Sequence, residues 1–205
     1  MNKKQILYLA LISPLAIFLI FFFKGSTNQE DYFQSIQDHR NKIDEFMRDS
    51  EGSPFYGKFE SYAGLKYFET SLKYKIRAAY QPIGNRQIRN LATSDGKQEA
   101  YEEYGYAIFD IDGVNNKLLI LRSVPTTSND LFIPFADSSS GDSTYGGGRY
   151  LNIVLTDSEE VEIDFNKAYN PYCAYTAAFS CPLPPAANYL AIQIPAGEKN
   201  YEEKN

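Results

Sequence analysis

The chain has 205 residues, 43% of them hydrophobic and 22% charged, with a net charge of −6 and a pI near 4.9. That length suits one domain plus extras, and the charge content is that of a globular chain rather than a disordered one. The acidic balance excludes nucleic acid as a partner, because phosphate binding needs clustered lysine and arginine.

Residues 1–5 form a short cytoplasmic flank carrying Lys3 and Lys4. From Ile6 to Phe23 there is no charge, and 13 of the 18 residues are Ile, Leu or Phe. A helix rising about 1.5 Å per residue would span roughly 27 Å here, close to the ~30 Å hydrocarbon core of a bilayer. Each such residue favours insertion by about 0.3–0.6 kcal/mol, which the Ser13-Pro14 step weakens without reversing. A cleaved leader has a shorter apolar region and a small-residue cleavage site. Here Lys24-Gly25-Ser26 follows directly, with no nearby cysteine to carry a lipid. The segment therefore reads as an uncleaved transmembrane anchor. More positive charge precedes it than follows, so the N-terminus is expected in the cytoplasm and the domain outside, periplasmic or at the cell surface.

Residues 24–54 read as a linker and one amphipathic helix. Thr27 and Glu30 make a capping box. Phe33, Ile36, Ile43 and Met47 then recur at helical spacings, with Arg40 interrupting, until Gly52-Ser53-Pro54 breaks the pattern. His39, the single histidine, falls off this stripe among charged neighbours, where a solvated side chain is expected rather than a base.

From 55 to 199 the period shifts to two, and the chain's wealth of aromatic residues, 17 tyrosines and 14 phenylalanines in all, favours strands. Tyr74, Ile76, Ala78 and Tyr80 alternate with Lys75, Arg77 and Gln81. Residues 104–110 and 117–124 make a hairpin, with Asp112-Gly113 and Asn115-Asn116 supplying turn residues. Shorter strands are expected at 65–68, 86–91, 131–135, 150–155, 161–165 and 189–194. The expected fold is mainly β: an antiparallel sandwich or partly open barrel of about nine strands, followed by a polar tail at 200–205.

Residue types that carry chemistry crowd between Asp137 and Pro185. Gly146, Gly147 and Gly148 would let a ligand approach the backbone or present amides to an anion. Arg149 adds a planar fork for a carboxylate or phosphate. The Gly-Lys-Ser/Thr ending of a phosphate-binding P-loop is absent. The competing reading is a bulge or tight corner that lets Arg149 pair with a carboxylate such as Asp164. Asp164-Phe165-Asn166 on a strand would put Asp164 and Asn166 on one face, with Arg149 and Tyr145 as partners. Asp137-Ser-Ser-Ser-Gly-Asp142 has calcium-like oxygens but not the EF-hand spacing, and is typical of a turn. Tyr169 and Asn170 complete the candidate binding set. No cofactor and no metal is called for.

Cys173 and Cys181 are a candidate disulfide in an oxidising compartment, worth roughly 2–3 kcal/mol for so short a loop. Two buried reduced thiols are the alternative, while zinc lacks partner ligands.

Leu131-Phe-Ile-Pro-Phe-Ala-Asp137, Gly141, Thr144-Tyr-Gly-Gly-Gly-Arg-Tyr-Leu151, Asp164-Phe-Asn-Lys-Ala-Tyr-Asn-Pro171, Cys173, Cys181-Pro-Leu-Pro-Pro185 and Ala196-Gly-Glu-Lys199 follow one another in order. In pattern and spacing they resemble the bacterial domain-of-unknown-function 1684 (DUF1684) family, with Ser139 and Tyr172 as departures. The resemblance runs from near Asp31 to Lys199 and implies no catalytic residues. The expected role is binding of a small polar or anionic ligand, or of an envelope component. Alternatives are a hydrolase-type enzyme using the carboxylates near Arg149, and a protein-interaction module of the cell envelope.

Overall fold

A computed structural model describes residues 28–124, 130–155 and 159–202. The expected anchor at 6–23 and the cap residue Thr27 lie outside these. Among the described residues no helix is long and apolar enough to cross a membrane. The chain divides into two compact units, Met1–Lys42 and Ile43–Asn205.

Helix α1 runs over 28–49. In the first unit Ile36 is buried and Phe33 half-buried, as their spacing requires. The Gln34 and Gln37 side-chain amides donate to Asp38 and Asn41 one turn on, at 2.8 and 2.9 Å. His39 is half-buried rather than fully solvated.

In the second unit Met47 packs with Phe55 and Tyr175 in a small aromatic cluster. The Ser53 hydroxyl donates to the Met47 carbonyl at 2.6 Å, satisfying one acceptor that the end of α1 leaves open.

The rest of this unit is one eight-stranded sheet: β1 (Lys75–Pro82), β2 (Ile88–Ala92), β3 (Gln98–Ile111), β4 (Val114–Ser123), β5 (Leu131–Asp137), β6 (Arg149–Ile153), β7 (Glu160–Asp164) and β8 (Tyr189–Leu190). The spatial order is β6-β5-β4-β3-β1-β7, with β2 added on β3 and β8 on β5. Among the described residues every pairing between these strands is antiparallel except β5 with β8. The hairpin closes as Asp112-Gly113 directs. Both residues have positive φ (55° and 79°), the primed two-residue turn that matches strand twist. Asn115 and Asn116 are not turn residues; they pair within β4.

One buried cluster takes Ala78, Ala107, Phe109, Leu118, Ile120, Ile133, Leu151, Val161 and Ile163 from six strands. The sheet therefore curls around one face, as a partly open barrel rather than two packed sheets. Leu119, Leu121, Leu91 and Tyr101 form a second cluster on the opposite face. Burial on both faces explains why Leu118 to Leu121 read as a continuous apolar run.

The expected strand at 65–68 reduces to a single bridge, Tyr67 to Glu198. The one at 189–194 shortens to two residues. Between β4 and β5 pairing extends only over two residue pairs, and Asn188 fills the gap beyond. Its side chain accepts from the Leu119 amide (2.6 Å) and donates to the Leu119 and Pro134 carbonyls (2.9 and 2.8 Å). Pro134 has no amide to offer a ladder, so a side chain substitutes for the missing strand.

Candidate functional site

Arg149 opens β6, opposite Phe135 of β5. Gly148 before it has φ +84°, and a Cβ there would lie 2.5 Å from Pro184 Cγ and 2.6 Å from the Phe135 carbonyl oxygen. Only glycine fits this approach. The Gly148 amide donates to the Tyr145 carbonyl (3.0 Å), so the triplet is a tight corner that turns Arg149 inward. Gly146 is exposed and Gly147 half-buried.

The Arg149 guanidinium is 1% exposed. Its Nη2 donates to Asp137 Oδ2 at 2.6 Å and to the Ile194 carbonyl at 3.0 Å. Its Nη1 donates to the carbonyls of Ala196 (2.5 Å) and Glu198 (3.2 Å). Burial pushes the guanidinium pKa down, and the Asp137 carboxylate opposes that. Asp137 Oδ1 accepts from the Ser139 amide (2.7 Å) and the Ser139 hydroxyl, which also meets the Thr144 hydroxyl (3.0 Å). The cation expected to face a ligand is thus spent on one carboxylate and three carbonyls of the closing segment 194–198. Asp137 belongs to this closed network, and Asp142, which is exposed, does not.

A second network adjoins it. Glu198, fully buried, accepts from the Asn170 side chain (2.8 Å), the Asn170 amide (3.0 Å) and the Tyr175 hydroxyl (2.5 Å). Burial pushes its carboxyl up to about 7, although these donors and Arg149 pull it down. Asn170 Oδ1 and Arg149 Nε are buried without a hydrogen-bond partner among the described residues.

Asp164 and Asn166 stand apart from Arg149. The strand ends at Asp164, and residues 165–167 form a 3-10 turn whose Asn166 amide the Asp164 side chain accepts. The two side chains therefore do not alternate along a strand. Asn166 instead clamps Ser71, accepting from its amide (2.9 Å) and donating to its carbonyl (2.8 Å). Lys167 Nζ lies 3.7 Å from Asp164. Arg149 pairs with Asp137 rather than with Asp164, because β6 is laddered to β5, with Phe135 opposite Arg149, whereas β7 is laddered to β1. Tyr169 exchanges two backbone hydrogen bonds with Tyr150 and donates to Asn152 Oδ1 (2.9 Å). Burial raises its phenol to about 12.

A third group is accessible. Segment 171–185 is tied to β2 through Leu183 to Ala92 (2.8 Å) and, just beyond, Ser94 to Cys181 (2.9 Å). It carries Cys173, half-buried, and Cys181, buried, as free thiols. The Cys173 amide donates to Cys181 Sγ at 3.2 Å, and the Tyr145 hydroxyl lies 3.8 Å from Cys173 Sγ. Tyr172 and Phe179 pack edge to face at 5.1 Å, with Phe179 37% exposed. Among the described residues no three His, Cys, Asp or Glu side chains gather as metal ligands would.

Glu198 and Ser94 are the participants that residue patterns did not single out. Glu198 sits in the Ala196-Gly-Glu-Lys199 step noted above, but nothing local marks it as buried.

The chain matches, over residues 60–199, the family described as "Protein of unknown function (DUF1684)". No curated protein matches it. The solution NMR structure of an uncharacterized protein of Haloarcula marismortui is similar: 34% identity, TM-score 0.66, covering 84% of this chain and 96% of the other. These likenesses carry the family and not a bacterial source. The run of motifs from Leu131 to Lys199, which builds the closed Arg149 network and the cysteine segment, is thus that of a member of the DUF1684 family.

Proposed function

We propose that the protein is a single-pass, membrane-anchored binding module working outside the cytoplasm. It would meet a small polar ligand, or an exposed segment of an envelope component, with segment 171–185. The observation that carries the binding reading is the half-exposed Tyr172–Phe179 ring pair, on a backbone held by its links to β2. Aromatic rings on a rigid frame bind at low entropic cost. The Arg149 network supports this reading by supplying that rigidity, not by offering charge.

The anchor is supported by the 18 uncharged residues from Ile6 to Phe23. After an alkaline carbonate wash the full chain is expected to stay with the membranes. Replacing Leu15 and Leu19 by arginine adds about 5–7 kcal/mol to insertion, which should release it. Full-length wild-type protein in the soluble fraction would contradict the anchor.

For binding, a thermal-shift survey of small sugars and carboxylic acids against the full chain should find a saturable rise in Tm. At 100 times Kd that rise corresponds to about 2.7 kcal/mol. It should vanish in Phe179→Ala, whose own unfolding stays cooperative. A rise that persists in Phe179→Ala, or no rise with any compound, counts against the assignment to this segment.

A further inference from the structure

We propose that Cys173 and Cys181 form a thiol–disulfide exchange site, in which Cys173 attacks the disulfide of a partner and Cys181 resolves the intermediate. This goes beyond the ligand-binding reading and does not depend on it, since it rests on the two sulfurs and their immediate neighbours.

Three observations converge. The Cys173 amide points at Cys181 Sγ (3.2 Å), so the 172–174 turn folds one cysteine back over the other. They differ in access: Cys173 is half-buried and Cys181 buried, so an incoming disulfide meets Cys173 first. Finally, Cys173 Sγ has the Tyr145 hydroxyl at 3.8 Å, a donor that suits a sulfur carrying negative charge.

The titration behaviour agrees with this geometry. Hydrogen bonding from Cys181, then from Ser94 and Tyr145, draws Cys173 below the ordinary thiol range against the effect of burial. The contact with Cys173, and then burial, pushes Cys181 up. The titratable groups facing the sulfurs are Tyr145, Tyr150, Tyr101 and Glu99. Burial raises the three phenols, so they stay neutral while Cys173 ionises. An attacking thiol needs this combination of thiolate character and exposure.

The exchange balances. The Cys173 thiolate attacks one sulfur of a partner disulfide, R–S–S–R; a Cys173–S–S–R bond forms and one RS⁻ leaves. Cys181, giving up its proton, attacks Cys173 Sγ; the internal disulfide forms and the second RS⁻ leaves. The partner gains two electrons, the cysteine pair loses two, and the two thiol protons end on the two RSH products.

The test uses the full chain in detergent, reduced, freed of reductant, and treated with oxidised glutathione. After acid quenching and alkylation, the peptide spanning 171–185 is weighed. Wild type should lose both free thiols to the internal disulfide, and millimolar reduced glutathione should return them. In Cys181→Ser the exchange should stop at one glutathione on Cys173, whereas Cys173→Ser should stay unmodified. With iodoacetamide, reduced wild type should be alkylated at Cys173 before Cys181. Tyr145→Phe should slow that alkylation about fivefold, the size of one lost hydrogen bond.

Two free thiols persisting in wild type overturn the proposal. So does a disulfide that resists reduced glutathione, which would be a structural staple, or Cys181 reacting before Cys173. The wild-type readings decide the matter even if a serine variant fails to fold, which circular dichroism would report.

Discussion

Replacing Arg149 with alanine is expected to destabilise the β domain by about 3–5 kcal/mol, seen as a large drop in the urea midpoint, because the change strands a buried carboxylate. Asp137 is fully enclosed, and with Arg149 gone its Oδ2 has no cation. The carbonyls of Ile194, Ala196 and Glu198 lose their donors in the same step. Domain stabilities of about 5–15 kcal/mol make this a fifth or more of the total. Arg149→Lys keeps the charge but not the fork, since one ammonium cannot span four acceptors on two sides; an intermediate loss follows. The pair variant Arg149→Met with Asp137→Leu should recover only part of the loss. The buried charge is gone, yet three carbonyls remain orphaned at about 1–3 kcal/mol each.

Glu198 gives the second large effect, and its sign is opposite to that of an ordinary paired carboxylate. Its folded pKa is raised, chiefly by burial, from the usual 4.5 to about 7. The folded state therefore holds the proton more tightly than the unfolded one. The stabilisation is complete below about pH 4.5 and is lost as pH rises through about 7, a change of about 3 kcal/mol. The urea midpoint should fall between pH 5.5 and 8, and Glu198→Gln should flatten this dependence. Imidazoles ordinarily titrate in the same window, but Glu198→Gln keeps His39, so the comparison isolates the carboxyl. Parallel curves for the two proteins would show that Glu198 does not hold the proton.

What was legible in the sequence is what local chemistry decides. The β3–β4 hairpin could be read because Asp112-Gly113 accepts two positive φ values, and β1 because its alternation matches a half-covered strand. The 65–68 segment looked like a strand from composition alone. It makes a single bridge because its neighbour, near Gly197, is a turn: Gly197 has φ +76° and a Cβ there would lie 2.6 Å from the Phe165 and Ala168 carbonyl oxygens. Arg149 was legible as a special residue, but its partner was not. Asp137 and Asp164 are equally acidic in sequence, and only the β5–β6 register decides between them. Glu198 escaped because its partners lie 28 and 23 residues away, at Asn170 and Tyr175, a pairing that no periodicity records. The cysteine pair was legible as a pair, since its spacing lies within one loop. Which sulfur is reachable depends on how that loop folds over β2.

The central claim is that Arg149 is sealed inside the domain as a structural cation rather than offered to a ligand. NMR of the arginine side chain tests it most directly. A guanidinium held by Asp137, Ile194, Ala196 and Glu198 should give resolved Nη–H signals at neutral pH. They should exchange slowly with solvent and stay unmoved by added phosphate or acetate. A single fast-exchanging signal, or one that shifts on anion addition, would mean that Arg149 faces a ligand.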